Sequence, residues 1–161
     1  MAELDLQRGV TQRDEYEKCT RELRYDLYKA TIGGESEAAA GVVCPGVCVG
    51  HHEGDLQENV ISNMMKGGSL LDLGGMGVTS TVNGVSIWRP FLAFNKDDVL
   101  KFAHKYGIPY FKDTTPHWST RGHLRNELFP LLRSMYGEGF VRHLSHLSSE
   151  SAQVRFLLFS L

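Results

Sequence analysis

Residues 50–59 read Gly-His-His-Glu-Gly-Asp-Leu-Gln-Glu-Asn, a polar run set between the apolar stretch 42–49 and an amphipathic pattern through Leu56, Val60, Ile61 and Met64. A strand-length apolar run, a glycine-flanked turn and then a helix form the repeating unit of α/β sheets. The chain is therefore predicted to be α/β. In such sheets ligands gather outside the carboxyl ends of the strands, which puts His51, His52, Asp55 and Glu58 where chemistry is done. Pro45 and Gly46 interrupt the strand, because proline cannot donate to the ladder, so its ordered part is predicted over 47–50.

A chain of 161 residues, 42% of them hydrophobic, builds one domain with a real core and is too short for two. No apolar run approaches the roughly 20 residues that cross a bilayer, and the acidic start at 1–5 is no signal peptide. The expectation is a cytoplasmic protein with no membrane partner. Cys19, Cys44 and Cys48 are an odd set without disulfide-framework spacing, which favours reduced thiols. Cys44 and Cys48 read as small core residues. The net charge of −2 hides an asymmetry: residues 1–60 carry 6 Lys and Arg against 12 Asp and Glu, whereas 89–133 carry 8 against 4. With Trp88, Tyr106, Tyr110 and Trp118 nearby, that second stretch suits a polyanion, or is simply a solvated basic face.

Tyr16, Cys19, Leu23, Leu27 and Ala30 recur at helical spacing and predict an amphipathic helix over 12–31, followed by a glycine-bearing loop over 33–41. A second helix from Leu56 ends at Gly67 and Gly68, where a left-handed cap is needed. Asn83-Gly84 between 78–82 and 85–88 is a two-residue hairpin signal. Asn95 caps a helix over 96–106 with Val99, Phe102, Ala103 and Tyr106 inward, and Gly107 stops it. Ser119 opens a helix to Tyr136 with a stripe of Leu124, Leu128, Leu131 or Leu132, and Met135, kinked by Pro130. Trp118 is expected at the rim of the core or stacked on a base. From about 138 to 161 a helical tail carries Phe140, Leu144, Leu147, Ser151, Val154 and Leu158, and its apolar end suits a continuing polypeptide or a partner.

Taken alone, the 51–58 cluster has several readings. Asp55 and Glu58 have capping-box spacing, with Asp55 as the cap, and then only satisfy N–H groups at the helix start. Two imidazoles and a carboxylate also suit zinc, hence a metal-dependent hydrolase, although adjacent residues on an extended segment point to opposite faces.

The wider succession is more specific. Residues 20–25 (TRELRY), the His-His-x-x-Asp-x-x-Glu cluster, Lys66-Gly67-Gly68-Ser69 with Leu73-x-x-Met76, and Arg89-Pro90-Phe91-Leu92 follow in order. Asp113-Thr114-Thr115 and Arg121-x-x-Leu124-Arg125-x-x-Leu128-Phe129-Pro130 complete it. This order resembles the ATP-pyrophosphatase domain of the tRNA(Ile)-lysidine synthase family, with cytidine-thiolating tRNA enzymes as relatives. The resemblance runs over roughly 13–151. It implies a partial adenine-nucleotide α-hydrolase-like, Rossmann-like parallel sheet followed by helices, the whole of 1–161 forming one partial domain. It also implies ATP with Mg2+ as cofactor, and tRNA and lysine as substrates. In that family a wobble cytidine oxygen is adenylated and an amine then displaces AMP, so cations must meet phosphates and a carboxylate must meet the amine.

Carried over by position, the resemblance gives His52, Asp55 and Arg24 catalytic roles. Arg21, His51 and Lys66 fall on the nucleotide, and Glu58, Arg121 and Arg125 on the substrate. Solvated helix faces remain the plain alternative for the arginines, and Lys66 equally suits the end of a helix dipole. Asp113 is read as a cap of the turn before the Arg121 helix.

Two departures qualify the resemblance. Gly54 stands where the family has the first Asp of its His-His-x-Asp-Asp motif. The family's Ser-Gly-Gly-x-Asp-Ser phosphate loop does not precede the TRELRY helix, and residues before Thr11 offer no glycine-rich helix start. The expectation is a portion of a lysidine synthase-like ligase, inactive alone, that pairs with a missing amino-terminal half or self-associates through exposed edges. A non-catalytic tRNA-binding or interaction module is the alternative from another class. A cytidine thiolase is a third, with Cys44-x-x-x-Cys48 its only cysteine pair.

Overall fold

In a computed structural model, residues 13–35, 45–111 and 115–159 are described. Asp113 and Cys44 fall outside them. The chain divides into two compact units, one drawn from residues up to Cys48 with Ser80–Trp88, the other from Val49–Thr79 with Arg89–Leu161.

The first unit holds helix α1 (Arg13–Glu35) and a three-stranded sheet of order β1-β3-β2, with β1 at Gly46–Cys48, β2 at Thr79–Val82 and β3 at Val85–Trp88. α1 runs on through Gly33 and Gly34, where a loop was expected. An intrinsic cost of about 1 kcal/mol per glycine does not stop a helix already propagating. β1 starts one residue after Pro45, a place where the missing donor does no harm. It pairs in parallel with β3, matching Gly46 to Ser86, Val47 to Ile87 and Cys48 to Trp88. A Cβ on Gly46 would fall 2.8 Å from the Ser86 carbonyl oxygen, so this approach requires glycine. β2 and β3 form the foreseen hairpin, Asn83 and Gly84 both having positive φ (51° and 79°), the type I′ signature. The sheet is thus mixed, parallel at β1–β3 only. Val85 and Ile87 are buried, whereas Cys48 is exposed. The expected core role of Cys48 is corrected, since it ends a strand rather than crossing a sheet interior.

The second unit is helical: α2 (Glu53–Met65), α3 (Lys96–Tyr106), α4 (Thr120–His123), α5 (Phe129–Tyr136) and α6 (Gly139–Phe159). Its core joins Val60, Ile61, Leu124, Phe129 and Leu144, with Leu128, Phe140 and Val141 against it. Fully burying a side chain of this size stabilises by about 1.5–3 kcal/mol. α6 packs through serines. The Leu73 amide donates to Ser151 Oγ (3.1 Å), which donates to the Leu70 carbonyl (2.8 Å). A Cβ on Gly74 would sit 2.2 Å from Ser148 Oγ.

The predicted end of α2 and both boundaries of α3 hold, with Gly67 and Gly107 left-handed (φ 69° and 64°) and Asn95 Oδ1 accepting from the Asp98 amide at 2.9 Å, whereas α2 starts three residues earlier than expected, at Glu53. On α3, however, only Ala103 is buried, and Phe102 and Tyr106 point to solvent. The 119–136 helix differs in phase. Pro130 does not break it. A π turn at Leu124–Leu128 lets the Phe129 amide reach back to the Leu124 carbonyl, five residues away. Proline has no N–H to offer a regular ladder, and the wider turn admits its ring. The extra residue places Phe129, not Leu128, beneath Leu124, and leaves Leu131 and Met135 exposed. Trp118 is also largely exposed rather than at a core rim. Among the described residues no helix is long and apolar enough to cross a membrane.

Candidate functional site

The start of α2 is capped by His52, not by Asp55. Extended backbone at His52 (φ −123°, ψ 177°) brings its imidazole back over the helix, where Nδ1 accepts from the Gly54 amide at 3.1 Å. Asp55 closes the box in return, its Oδ2 accepting from the His52 amide at 3.0 Å. The expected box of Asp55 with Glu58 is thus corrected: it lies three residues earlier, as His52 with Asp55, which sequence did not reveal because histidine is not a usual cap. Since Nδ1 accepts, the ring proton of neutral His52 is on Nε2, 3.5 Å from Asp55 Oδ2. Gly54 permits this. A Cβ there would lie 2.9 Å from His52 Cε1.

Asp55 and Glu58 are 6% and 4% exposed, so their charges need partners. Arg125 supplies them. Its Nε donates to Glu58 Oε1, Nη2 donates to Glu58 Oε2 (3.3 Å) and Asp55 Oδ1 (3.1 Å), and Nη1 donates to Thr115 Oγ1 (3.0 Å). Arg121, one turn earlier and 46% exposed, stands 3.5 Å from Asp55 Oδ1 and 3.7 Å from Glu58 Oε2. A planar fork matches a carboxylate in two bonds, so Arg125 is held while Arg121 can swing. A cleft of about 130 Å³ opens beside the cluster, lined by Gly54, Gln57, Glu58, Arg125, Phe129 and Arg133.

His51 turns away from this cluster. Its Nδ1 accepts from Arg89 Nε at 3.2 Å, and the Arg89 Nη1 donates to the Gly77 carbonyl at 2.9 Å. Burial, which Asp55 partly offsets and Arg89 reinforces, holds the His51 pKa below its ordinary value. Arg89, only 6% exposed, was quoted in a motif but given no role. An arginine directly after the β3 pattern was the signal that pointed to it. Thr115 was likewise a motif letter without a function.

The structure therefore joins His52, Asp55, Glu58, Arg121 and Arg125, and sets His51 beside them with Arg89. Lys66 is not part of it. It is exposed and caps the other end of α2, fourteen positions from His52, roughly 20 Å along the axis. Arg21 and Arg24 are exposed on α1, in the other compact unit.

The family profile described as PP-loop domain matches residues 2–132. The chain belongs to the PP-loop domain family. The tRNA(Ile)-lysidine synthase of Chlamydia muridarum (strain MoPn / Nigg) is 29% identical over 141 residues, 86% of this chain and 42% of that protein. The synthase of Chlamydia caviae is 25% identical over 140 residues, with the same shares. That of Thermotoga sp. (strain RQ2) is 31% identical over 121 residues, 74% of this chain and 27% of its own length. The chain thus spans less than half the length of these relatives.

The PP-loop family implies a nucleotide, and the start of α2 does not fit its phosphates. The Glu53 amide already donates to the Phe94 carbonyl (2.9 Å), the Gly54 amide to His52 Nδ1 and the Asp55 amide to the His52 carbonyl (3.0 Å). Mg2+ does not fit Asp55 and Glu58 either, whose oxygens bear guanidinium groups. Among the described residues no group of three His, Cys, Asp or Glu side chains is arranged to hold a metal, and His51, turned toward Arg89, does not join His52 and Asp55 as a zinc set.

Proposed function

We propose that this PP-loop chain contributes the amine and base side of an ATP-dependent tRNA modification of the tRNA(Ile)-lysidine synthase type, joining a carbon–nitrogen bond at a wobble cytidine. The observation that carries the reading is the buried pair Asp55 and Glu58 held by Arg125, with the more loosely held Arg121 at its edge. In such an arrangement the buried carboxylates, already carrying guanidinium groups, serve to orient Arg121 at the edge of the cluster. Arg121 is in turn free to meet the carboxylate of an amino acid such as lysine. His52, with its proton fixed on Nε2, orients Asp55. Names of relatives over most of the chain support tRNA as the macromolecular substrate and ATP as the activating reagent. The setting is the cytoplasm. Arg21 and Lys66 are kept as nucleotide-side residues, Arg24 as a catalytic one, and Glu58 as a substrate-side residue.

The test is AMP and pyrophosphate formation from ATP with tRNA and lysine. This chain is compared with an amino-terminally extended chain carrying a Ser-Gly-Gly-x-Asp-Ser loop, and with Asp55→Asn in that extended chain. The extended chain is expected to turn over only when tRNA and lysine are both present, and Asp55→Asn to lose at least about tenfold in kcat/KM for lysine, the 1.4 kcal/mol of one hydrogen bond to a charged group. Turnover indifferent to lysine, or to Asp55, refutes the assignment. A non-catalytic tRNA-binding module is the second reading, supported by the internally satisfied amides at the start of α2. It predicts tRNA binding without AMP in either chain. Sulfur transfer has less support: Cys48 is exposed and Cys44 lies outside the described residues.

A further inference from the structure

Helix α3 and the segment after it present a surface the carboxylate–arginine cluster does not use. Phe102 and Tyr106, one turn apart, are 57% and 59% exposed, with ring centroids 4.6 Å from each other. The Lys105 ammonium stands 5.3 Å from the Tyr106 ring centre. Lys101, one turn before Lys105, is exposed as well. Tyr110 stacks on the His104 ring at 5.5 Å, its hydroxyl 2.5 Å from His104 Nε2, and remains half exposed. The two acids of α3, Asp97 and Asp98, lie in its first turn. Asp98 is engaged there by the Asn95 cap and, at 3.5 Å, by Lys101. From 99 to 111 the sequence contains no Asp or Glu.

Charge and shape together select the partner. The core of a protein interface is depleted in lysine, whereas this face interleaves lysine with flat rings. Aromatic side chains beside cations, with Asp98 the carboxylate at their amino-terminal edge and already engaged by Asn95 and Lys101, are what a single-stranded polyanion with exposed bases engages. We propose that the face formed by Phe102 and Tyr106 with Lys101 and Lys105 binds single-stranded RNA, the rings stacking on bases and the ammonium groups meeting phosphates. This deepens the tRNA-directed reading above, on which it rests for the biological identity of the RNA, by assigning a contact surface to an unpaired stretch.

The experiment is fluorescence anisotropy of the full 161-residue chain with a labelled uridine dodecamer and with labelled tRNA. It compares the parent with Phe102→Ala/Tyr106→Ala, Lys101→Ala/Lys105→Ala and the conservative Tyr106→Phe. Circular dichroism confirms the fold, and sedimentation reports self-association. The ring pair is expected to weaken binding of both RNAs roughly 10- to 100-fold, and Tyr106→Phe to leave it within about twofold. The lysine pair should lower the log–log salt slope on the dodecamer by about 1.4. No binding of the dodecamer by the parent, or variants that bind RNA as the parent does, overturns the proposal. So does a ring variant that changes only self-association, which would assign the face to protein contact. The readout is independent of nucleotide chemistry. A lysine-independent extended chain that still binds RNA through this face would sink the ligase reading alone, and an active ligase with RNA-indifferent variants would sink this one alone.

Discussion

Replacing Arg125 by Ala is expected to be the most damaging single change at the candidate site, and the structure sets its size. The guanidinium makes two hydrogen bonds to Glu58, one to Asp55 and one to Thr115, and the two carboxylates are almost wholly buried. Removing one partner of a buried ion pair costs about 3–5 kcal/mol, since the remaining charge is left desolvated. The Arg125 side chain is 23% exposed and Arg121 remains at 3.5 and 3.7 Å, so the low end applies, about 3 kcal/mol. For a chain of this length that lowers Tm by roughly 6–12 °C. Urea unfolding followed by circular dichroism measures it. Adding Glu58→Gln removes the stranded charge, and the double variant should recover at least about 1 kcal/mol against the sum of the singles. Arg125→Lys should fall between, because an ammonium cannot reproduce the fork. If Arg125→Ala unfolds within about 0.5 kcal/mol of the parent, like an ordinary surface change, or if the two substitutions simply add, the buried-pair argument is wrong.

Three further outcomes follow from individual residues. His51 titrates below its ordinary 6.5 because it is buried against Arg89. As pH falls, the unfolded chain therefore takes up the proton first, and stability declines from about pH 6.5 until the folded value is passed. Urea midpoints across that range should show the decline, and His51→Gln should flatten it. Gly122→Ala would put a Cβ 2.1 Å from the Pro116 carbonyl oxygen and 2.7 Å from that of His117, backbone that cannot step aside. A loss of about 1–3 kcal/mol is expected in the same assay, and an unchanged midpoint would contradict the packing of α4. Gly84→Ala meets no atom but sits at φ 79°, so a smaller loss of about 1–2 kcal/mol is expected from backbone strain alone.

What could be read from the sequence is what is decided locally. The Asn83-Gly84 turn, the Asn95 cap and the Gly107 stop depend on residues within a few positions, and they stand as read. The box at the start of α2 was read three residues late, as Asp55 with Glu58 instead of His52 with Asp55, because His52 caps only where Gly54 leaves room for its ring. The pairing of Arg125 with Asp55 and Glu58 spans about 70 positions and leaves no periodic trace; only resemblance to a family brought those residues onto one page. Phe102 and Tyr106 obeyed helical periodicity yet face water, since periodicity tells which residues share a side and not what that side meets. The 119–136 stripe failed at Met135, and missed Phe129, for a different reason: a single wider turn changes the phase of everything after it.

That wider turn also has a bearing on how the site can vary. In an uninterrupted helix, Arg121, Arg125 and Phe129, spaced by four, would fall in one file, and the ring that anchors the core would follow the guanidiniums toward the carboxylates. The π segment rotates the downstream helix so that Phe129 docks beneath Leu124 while the arginines keep their own bearing. Aim and anchorage are thereby geared separately along one continuous rod. Losing one residue from 124–128 would delete no chemistry, yet it would swing the two halves by about 100° relative to each other and point a complete set of side chains in the wrong direction.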